Sequence, residues 1–446
     1  MEENINKNKN FTSYNFIEEY VLIKRILILM LLFTISRIGF YLFNTEYYTD
    51  ISFIRLLRIF GGGLKFDISA IMFVNSIYLL LFLLPFPFRY SKVYTIILKW
   101  FFFITNGIAL AANTMDFFYF DFILKRSTSD VFMFAQEGNI KTLLGLFLID
   151  YWYGVLFWIA QMILLIFLYN KTKIIKPEKI KRLPYYLTSI AWLLISVYFS
   201  IIAMRGGFTG TTRPITLGNA GKYTEKPLEM AIVLNTPFTL IKTIDKKPLE
   251  LKKYFTDNEL DSIYTPLHKS NPKGEFKKYN VVVFIIESMA KEYTGALNKN
   301  LDNGTYLGYT PFLDSLMQKS RTYARAFANG RKSIDALPSV TSSIPSMVNP
   351  YVTSKYATNK INSLASLLKE KGYSTAFFHG APNGSMGFES FMKVAGYDKY
   401  FGMTEYGNDS DFDGAWGIWD EEFFQYFANE MNKMPQPFHT ALFSLS

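Results

Sequence analysis

The sequence predicts an α-helical membrane domain followed by an α/β domain, and three observations carry this prediction. Five long apolar segments lie before residue 205, and each is long enough to cross a bilayer as a helix. From Lys278 onward, strand patterns alternate with helix patterns, which indicates βαβ units around a parallel or mixed sheet. Half of the residues are hydrophobic and 18% are aromatic, which excludes an ordinary soluble protein.

A basic loop, Lys171–Arg182, fixes the predicted orientation of the spans. It holds six cations against one acid, Glu178, so the positive-inside rule makes it cytoplasmic. Counting spans outward puts the N-terminus inside and everything after residue 205 outside. The predicted transmembrane helices are 21–43, 68–88, 94–115, 145–168 and 185–204.

Charge and cysteine content exclude several classes of function. The net charge of +10 does not indicate a nucleic-acid partner, because part of it lies in the basic loop between two apolar segments. The chain has no cysteine, which excludes disulfides and thiolate metal sites.

Residues 205–277 are predicted to connect the membrane domain (residues 1–204) to the external domain (residues 278–446). The connector begins with Gly, Thr and Pro, which favour irregular chain. The pattern of Leu228–Lys242 predicts an amphipathic helix, interrupted at Pro237, that lies along the membrane surface.

The external domain is predicted to contain three strands and three helices, besides a helical segment that begins at Ser333. The apolar run Val281–Ile286 is typical of a buried strand in a parallel sheet. Asp420 is a plausible N-cap for the last helix. The predicted strands are Asn280–Ile286, Tyr373–His379 and Phe438–Leu445, and the predicted helices are Thr310–Ser320, Ile361–Lys371 and Glu421–Met431.

Two residues stand at strand ends where open α/β sheets place ligands. Glu287 directly follows the first strand, and His379 ends the second. Glu287 could hold a metal or substrate, or it could be an ordinary first-turn acid. A histidine at the carboxyl end of a strand favours a side chain that faces a site.

Ser333 follows the turn Gly330–Lys332 and opens a predicted helix. A serine at a helix N-terminus, flanked by Arg331 and Lys332, is well placed to carry a phosphoryl group. The alternatives are a plain N-cap serine and two exposed cations. The acidic cluster Asp409–Asp413 lacks the closing Glu of a calcium loop, so it predicts an exposed turn.

The five spans, the outside linker and the motifs NVVVFIIES and NGRKSIDALPSVTSSIPS resemble the lipoteichoic acid synthase-like proteins. These form part of the sulfatase-like branch of the alkaline phosphatase superfamily. The resemblance covers essentially the whole chain and implies an alkaline phosphatase/sulfatase-like external domain on a bacterial cytoplasmic membrane. It implies a divalent metal, usually Mn²⁺, bound by Glu287 and by the nucleophile Ser333. It also implies that His379 contacts the substrate head group.

Three departures from the family pattern affect what the resemblance implies. The family's Asp-His pair of metal ligands lies well downstream, and none occurs before Ser446, so we expect a chain truncated within the external domain. Met386 and Phe388 stand where the Gram-positive enzymes have the Trp and Arg that grip glycerol phosphate. The nucleophile is Ser rather than Thr.

The leading hypothesis is a transferase that moves a phosphoglycerol-like head group from a phospholipid, through phospho-Ser333, to a glycan or lipid acceptor outside the membrane. Arg331 and Lys332 would help to neutralise the phosphate. One alternative is a phosphoethanolamine transferase, although those external domains typically carry disulfides. A sulfatase is disfavoured because Ser333 lacks the Cys/Ser-x-Pro-x-Arg context. A non-catalytic membrane scaffold or lipid-binding protein is the alternative from a different class.

Overall fold

The polypeptide forms two compact units. The first contains Met1–Lys247 together with Thr353–Lys360, and the second contains Pro248–Val352 and Ile361–Ser446. The computed structural model describes residues 17–131, 149–172, 174, 182–208, 214–246, 249, 252–265, 271, 274–346 and 349–445. Most of the basic loop and the start of the predicted fourth span lie outside the described residues.

Long apolar helices build the first unit. Four of them are long and apolar enough to cross a membrane, and a pair bent by 61° gives a fifth if it counts as one span. This agrees with the predicted helical membrane domain. The helices are α1 (Ile17–Phe43), the bent pair α2 (Phe53–Val74) and α3 (Ser76–Phe82), α4 (Lys92–Ile123), α5 (Trp152–Asn170) and α6 (Arg182–Arg205).

The start of the predicted second span, residue 68, was wrong. Helix α2 begins 15 residues earlier, where Ser52 caps it by accepting the Arg55 N–H. The three consecutive glycines Gly61–Gly63 argue against a helix in the sequence. In the structure they lie within α2, and two of them allow neighbouring side chains to pack closely against the helix. A Cβ atom at Gly62 would lie 2.3 Å from the Tyr223 ring, and one at Gly63 would lie 2.3 Å from the Arg37 guanidinium.

The predicted surface helix of the connector was also wrong. Residues 228–242 form two short helices, α7 (Met230–Val233) and α8 (Thr236–Thr243), and most of their side chains are buried within the first unit. Pro237 lies in the first turn of α8, where a missing N–H costs nothing, so it starts this helix instead of interrupting one.

A buried ion pair holds this segment. Arg37 of α1 pairs with Asp67 of α2, and both side chains are buried. The Arg37 guanidinium also donates to the carbonyls of Ile232 and Val233. Asp67 accepts a second hydrogen bond from the Asn235 side chain, at 2.9 Å. Because an unpaired charge is costly in an apolar interior, these bonds fix the connector where it enters the bundle.

A second set of bonds ties the same segment to α4 and the chain that follows it. Asp116 accepts the Thr236 hydroxyl at 2.6 Å and the Ser127 N–H at 2.9 Å. Arg126 donates through Nε to the Ala231 carbonyl at 2.8 Å. The connector between residues 231 and 236 is therefore held from two sides within the first unit.

The second unit contains a four-stranded, fully parallel sheet in the order β1-β4-β2-β3. The central strand β4 is completely buried. The prediction of a buried first strand was wrong, because β1 lies at the edge of the sheet and Phe284 is 51% exposed. The strands are β1 (Val281–Ile285), β2 (Ser374–Phe378), β3 (Lys399–Phe401) and β4 (Phe438–Phe443).

The three predicted helices are present with shifted ends, whereas β3 and the short helices Phe388–Val394 and Met403–Tyr406 on either side of it were not predicted. The last predicted helix begins at Asp420, and its N-cap is Trp419 instead of the predicted Asp420. Buried Phe423 and Phe427 pack this helix against Phe378 and Leu442 of the sheet. The helices are α9 (Asp257–Ile263), α10 (Pro311–Gln318), α11 (Ser333–Ser342), α12 (Leu364–Lys369), α13 (Phe388–Val394), α14 (Met403–Tyr406) and α15 (Asp420–Asn432).

We predict that Asp67→Ala destabilises the first unit by about 3 to 5 kcal/mol, since it leaves the buried Arg37 charge without its partner. Thermal unfolding of the full chain in detergent would measure the loss. Asp50→Ala is the matched control, because its ion pair with Lys226 is exposed and its removal should leave the midpoint unchanged. Equal effects of the two variants would contradict the role assigned to Asp67.

Candidate active site

Three strands of the sheet end at one edge, and a polar side chain follows each of them. Glu287 comes two residues after β1, His379 directly follows β2, and Ser444 directly follows β4. The Ser444 N–H donates to the Ile285 carbonyl at 3.0 Å, and the Glu287 N–H donates to the Ser444 hydroxyl oxygen at 2.8 Å. The parallel pairing thus brings the predicted residues Glu287 and His379 to the same edge.

His379 is 1% exposed and packs against two aromatic rings. The ring centres of Phe388 and Phe443 are 5.1 Å and 5.4 Å from that of the imidazole. Nδ1 lies 3.0 Å from the Phe443 carbonyl oxygen. Because a carbonyl can only accept, Nδ1 carries the proton and Nε2 presents a lone pair. Within the described residues this buried Nε2 has no hydrogen-bond partner.

Burial lowers the pKa of His379 to about 4, because the charged imidazolium loses its hydration. The hydrogen bond to the Phe443 carbonyl and the negative charges of Asp420 and Glu287 oppose this shift. The imidazole is therefore neutral at pH 7, and it can accept a hydrogen bond at Nε2. Two carboxylates lie close enough to affect its charge.

Asp420, which was predicted only as a helix cap, also lies at this edge. Its two carboxylate oxygens lie 2.9 Å and 3.3 Å from the Leu445 nitrogen and accept that N–H. Ser444 was also missed as a site residue. A signal for it existed, because Ser444 follows its strand as Glu287 and His379 follow theirs.

Ser333 is the first helical residue of α11 and is half-buried. Lys332, in an extended conformation, is the N-cap, so Ser333 itself does not cap the helix. Gly330 permits the tight turn before it, since a Cβ atom there would lie 2.4 Å from the Cβ of Asp335. Arg331 and Lys332 are exposed. Within the described chain, the side chains of Arg331, Lys332 and Ser333 make no hydrogen bond or ion pair.

Glu287 and Ser333 are the two described residues that were predicted to bind a metal. The Glu287 carboxylate and the Ser333 hydroxyl are oxygen donors of the kind that hard divalent cations prefer. However, across the described ranges no group of three or more His, Asp or Glu side chains is placed to hold a metal ion. Two oxygen donors do not complete a site.

Comparison with known proteins shows which families the chain is similar to. Residues 279–446 match the family model described as Sulfatase. The chain is 25% identical over 364 residues to the lipoteichoic acid synthase of Staphylococcus saprophyticus, an alignment that covers 78% of this chain and 53% of that one. The Staphylococcus aureus lipoteichoic acid synthase gives 25% identity over 363 residues, with the same coverage.

The chain is similar to lipoteichoic acid synthases, and residues 279–446, the sulfatase-family domain, carry the family match. It spans about half the length of the curated relatives it matches. The resemblance drawn from the two motifs is therefore confirmed, as is the membrane character of the protein, to which the apolar helices of the first unit also point. The roles of the individual residues of the sulfatase-family domain stay predictions.

Two solved structures match part of the chain. An alkaline phosphatase superfamily protein from Vibrio parahaemolyticus has 27% identity and a TM-score of 0.34, and the match covers 39% of this chain and 41% of that one. The lipoteichoic acid synthase LtaP from Listeria monocytogenes has 25% identity and a TM-score of 0.31, with coverage of 38% and 40%.

The lowered pKa of His379 predicts a pH-dependent stability of the sulfatase-family domain. Between its unfolded value of 6.5 and about 4, the unfolded chain binds a proton that the folded chain does not. The free energy of unfolding is therefore not reduced by His379 above pH 6.5, and it decreases as the pH falls from 6.5 toward 4. His379→Gln should reduce the slope of the unfolding free energy against pH by up to about 1.4 kcal/mol per pH unit.

Hydrogen exchange of the β2 and β4 amides, corrected for intrinsic rates, would measure this slope. Burial also lowers the pKa of His439, so a smaller slope of the same sign should remain in the variant. An unchanged slope in His379→Gln would contradict the buried, neutral state of His379.

Proposed function

We propose that the protein is a membrane-anchored phosphotransferase. It takes a phosphoglycerol-like head group from a phospholipid and passes it to a glycan or lipid acceptor on the outer side of the membrane. Its kinship with proteins named lipoteichoic acid synthase supports a reaction on membrane lipids. The observation that carries the proposal is His379, whose buried Nε2 has no hydrogen-bond partner among the described residues and could accept a hydrogen bond from a head-group hydroxyl.

The proposed reaction has two displacements at phosphorus. In the first, the Ser333 oxygen attacks the lipid phosphate, and the bond from phosphorus to the diacylglycerol oxygen breaks, so that diacylglycerol leaves with a proton. In the second, a hydroxyl of the acceptor attacks the phosphoserine, and the Ser333 oxygen leaves and regains its proton. Splitting the transfer in this way lets one site handle the donor and the acceptor in turn.

Charges and hydrogen bonds of this chain would bind the head group. Arg331 and Lys332 flank Ser333 and would neutralise phosphate oxygens. A hydroxyl of the head group would donate to Nε2 of His379. The half-buried first turn of α11 adds backbone N–H groups that favour an anion next to Ser333.

Members of this superfamily typically use a divalent metal, and we propose Mn²⁺ with Glu287 and Ser333 among its ligands. Such an ion would favour the ionised serine and neutralise the phosphate. The described residues do not supply a full ligand set, so no step of the reaction is assigned to the metal here. The non-catalytic scaffold stays the second candidate function, and the two candidates give opposite results in the tests below.

We predict that Ser333→Ala abolishes release of head group from a fluorescent phospholipid by the protein in its own membranes, since the attacking oxygen is gone. Ser333→Thr should retain transfer, because it keeps the hydroxyl. Ser342→Ala, which changes a serine at the other end of the same helix, is the matched control and should transfer at the wild-type rate. Absence of transfer by the wild type under all conditions would favour the scaffold.

Removal of divalent metal should stop transfer as well. Chelation followed by addition of Mn²⁺ is expected to restore the rate, and Glu287→Gln should raise the Mn²⁺ concentration needed by at least about tenfold. The exposed acid Glu292 provides the control, since Glu292→Gln should need no more Mn²⁺ than the wild type. A transfer rate that survives chelation would contradict the proposed metal dependence.

A further inference from the structure

We infer that the carboxyl end of β4, Phe443–Leu445, positions both Glu287 and His379, and that Ser444 and Asp420 are the positioning residues that hold it. The inference concerns the site of the proposed function and rests on that function for its effect on transfer. Its structural part can be tested without any activity.

Ser444 fixes the backbone at Glu287. The sheet ladder between β1 and β4 ends at the pair Ile285 and Phe443. Ser288 then turns the chain sharply, with φ at +54° in the left-handed region that non-glycine residues seldom adopt. The Glu287 N–H has therefore left the ladder, and the Ser444 hydroxyl oxygen, on a side chain only 3% exposed, accepts it.

Asp420 holds the other end of the segment Phe443–Leu445, called the tripeptide. Its carboxylate accepts the Leu445 N–H just after β4 ends. Asp420 is the first residue of α15, where the helix dipole favours a negative charge. Buried Phe423 and Phe427 anchor α15 to the sheet. The end of β4 is thus tied to a rigid helix.

The Phe443 carbonyl, next to these two contacts, determines the tautomer of His379. The Phe443 oxygen accepts the Nδ1 proton of His379. While this bond persists, the proton stays on Nδ1 and the lone pair stays on Nε2. If the tripeptide moved, Nδ1 would lose its acceptor, the imidazole would populate both tautomers, and Nε2 would no longer be a fixed acceptor.

Imidazole ¹⁵N spectra of the full chain in detergent micelles would test this directly. The chain has three histidines, so each can be assigned by substitution. The wild type should show His379 as the Nδ1–H tautomer. Asp420→Ala should give a mixture of tautomers, whereas Asp420→Asn, which keeps an oxygen acceptor for the Leu445 N–H, should resemble the wild type.

His439 reports whether a variant is still folded. Its Nε2 lies 3.0 Å from the Tyr397 hydroxyl in the core, away from the strand end. An unchanged His439 signal in Asp420→Ala, together with a pure Nδ1–H tautomer of His379, would overturn the inference. So would equal tautomer mixing in the Asn and Ala variants, because the hydrogen bond would then not be the cause.

Hydrogen exchange of the Glu287 amide would test the role of Ser444. This amide should exchange at least tenfold faster in Ser444→Ala than in the wild type, while Ser444→Thr, which keeps the hydroxyl, should protect it. Equal protection in all three proteins would overturn the role of Ser444. In transfer assays Ser444→Ala should lower kcat at least tenfold, with Thr restoring it. If the wild type transfers nothing, the proposed function has failed, and the tautomer and exchange results still decide this inference.

Discussion

The candidate site depends on the parallel pairing of one buried strand with two neighbours. Strand β4 pairs with β1 on one side and β2 on the other, in registers that align Ile285 with Phe443 and Phe378 with Leu442. Parallel strands end at the same edge, so the residues that follow them must meet there. This places an acid, an imidazole and a hydroxyl together although long stretches of chain separate them.

A different constraint shapes the first unit. Charged groups in an apolar bundle need partners, and Arg37, Asp67, Asp116 and Arg126 find them partly in one another and partly in residues 231–236. Polar groups of the connector are satisfied by the same bonds. A segment that was predicted to lie along the membrane surface is therefore an integral part of the bundle, where its polar groups are paired.

The sequence predicted the general architecture because its signals are local. Apolar length indicates a transmembrane span, and an apolar run followed by a polar residue indicates the end of a strand. Long-range bonds could not be predicted in the same way. The early start of α2 depends on contacts of its glycines with Tyr223 and Arg37. The burial of α7 and α8 depends on their bonds to the charged residues Arg37, Asp67, Asp116 and Arg126. Glu287 and His379 were predicted because of their places at the ends of evident strands, whereas Ser444 was missed because the predicted third strand ran on to Leu445. Asp420 was missed as a site residue because its role comes from a bond to Leu445 across the fold.

The most direct test of this account is peptide mass spectrometry of the protein, quenched with acid shortly after mixing with phospholipid in its own membranes. The account predicts a phospho-alcohol group attached covalently to Ser333. It also predicts that this group disappears when acceptor is added, in step with formation of the product. Transfer that proceeds at full rate while Ser333 stays unmodified, or with the group on another side chain, would contradict the covalent mechanism and the assignment of Ser333.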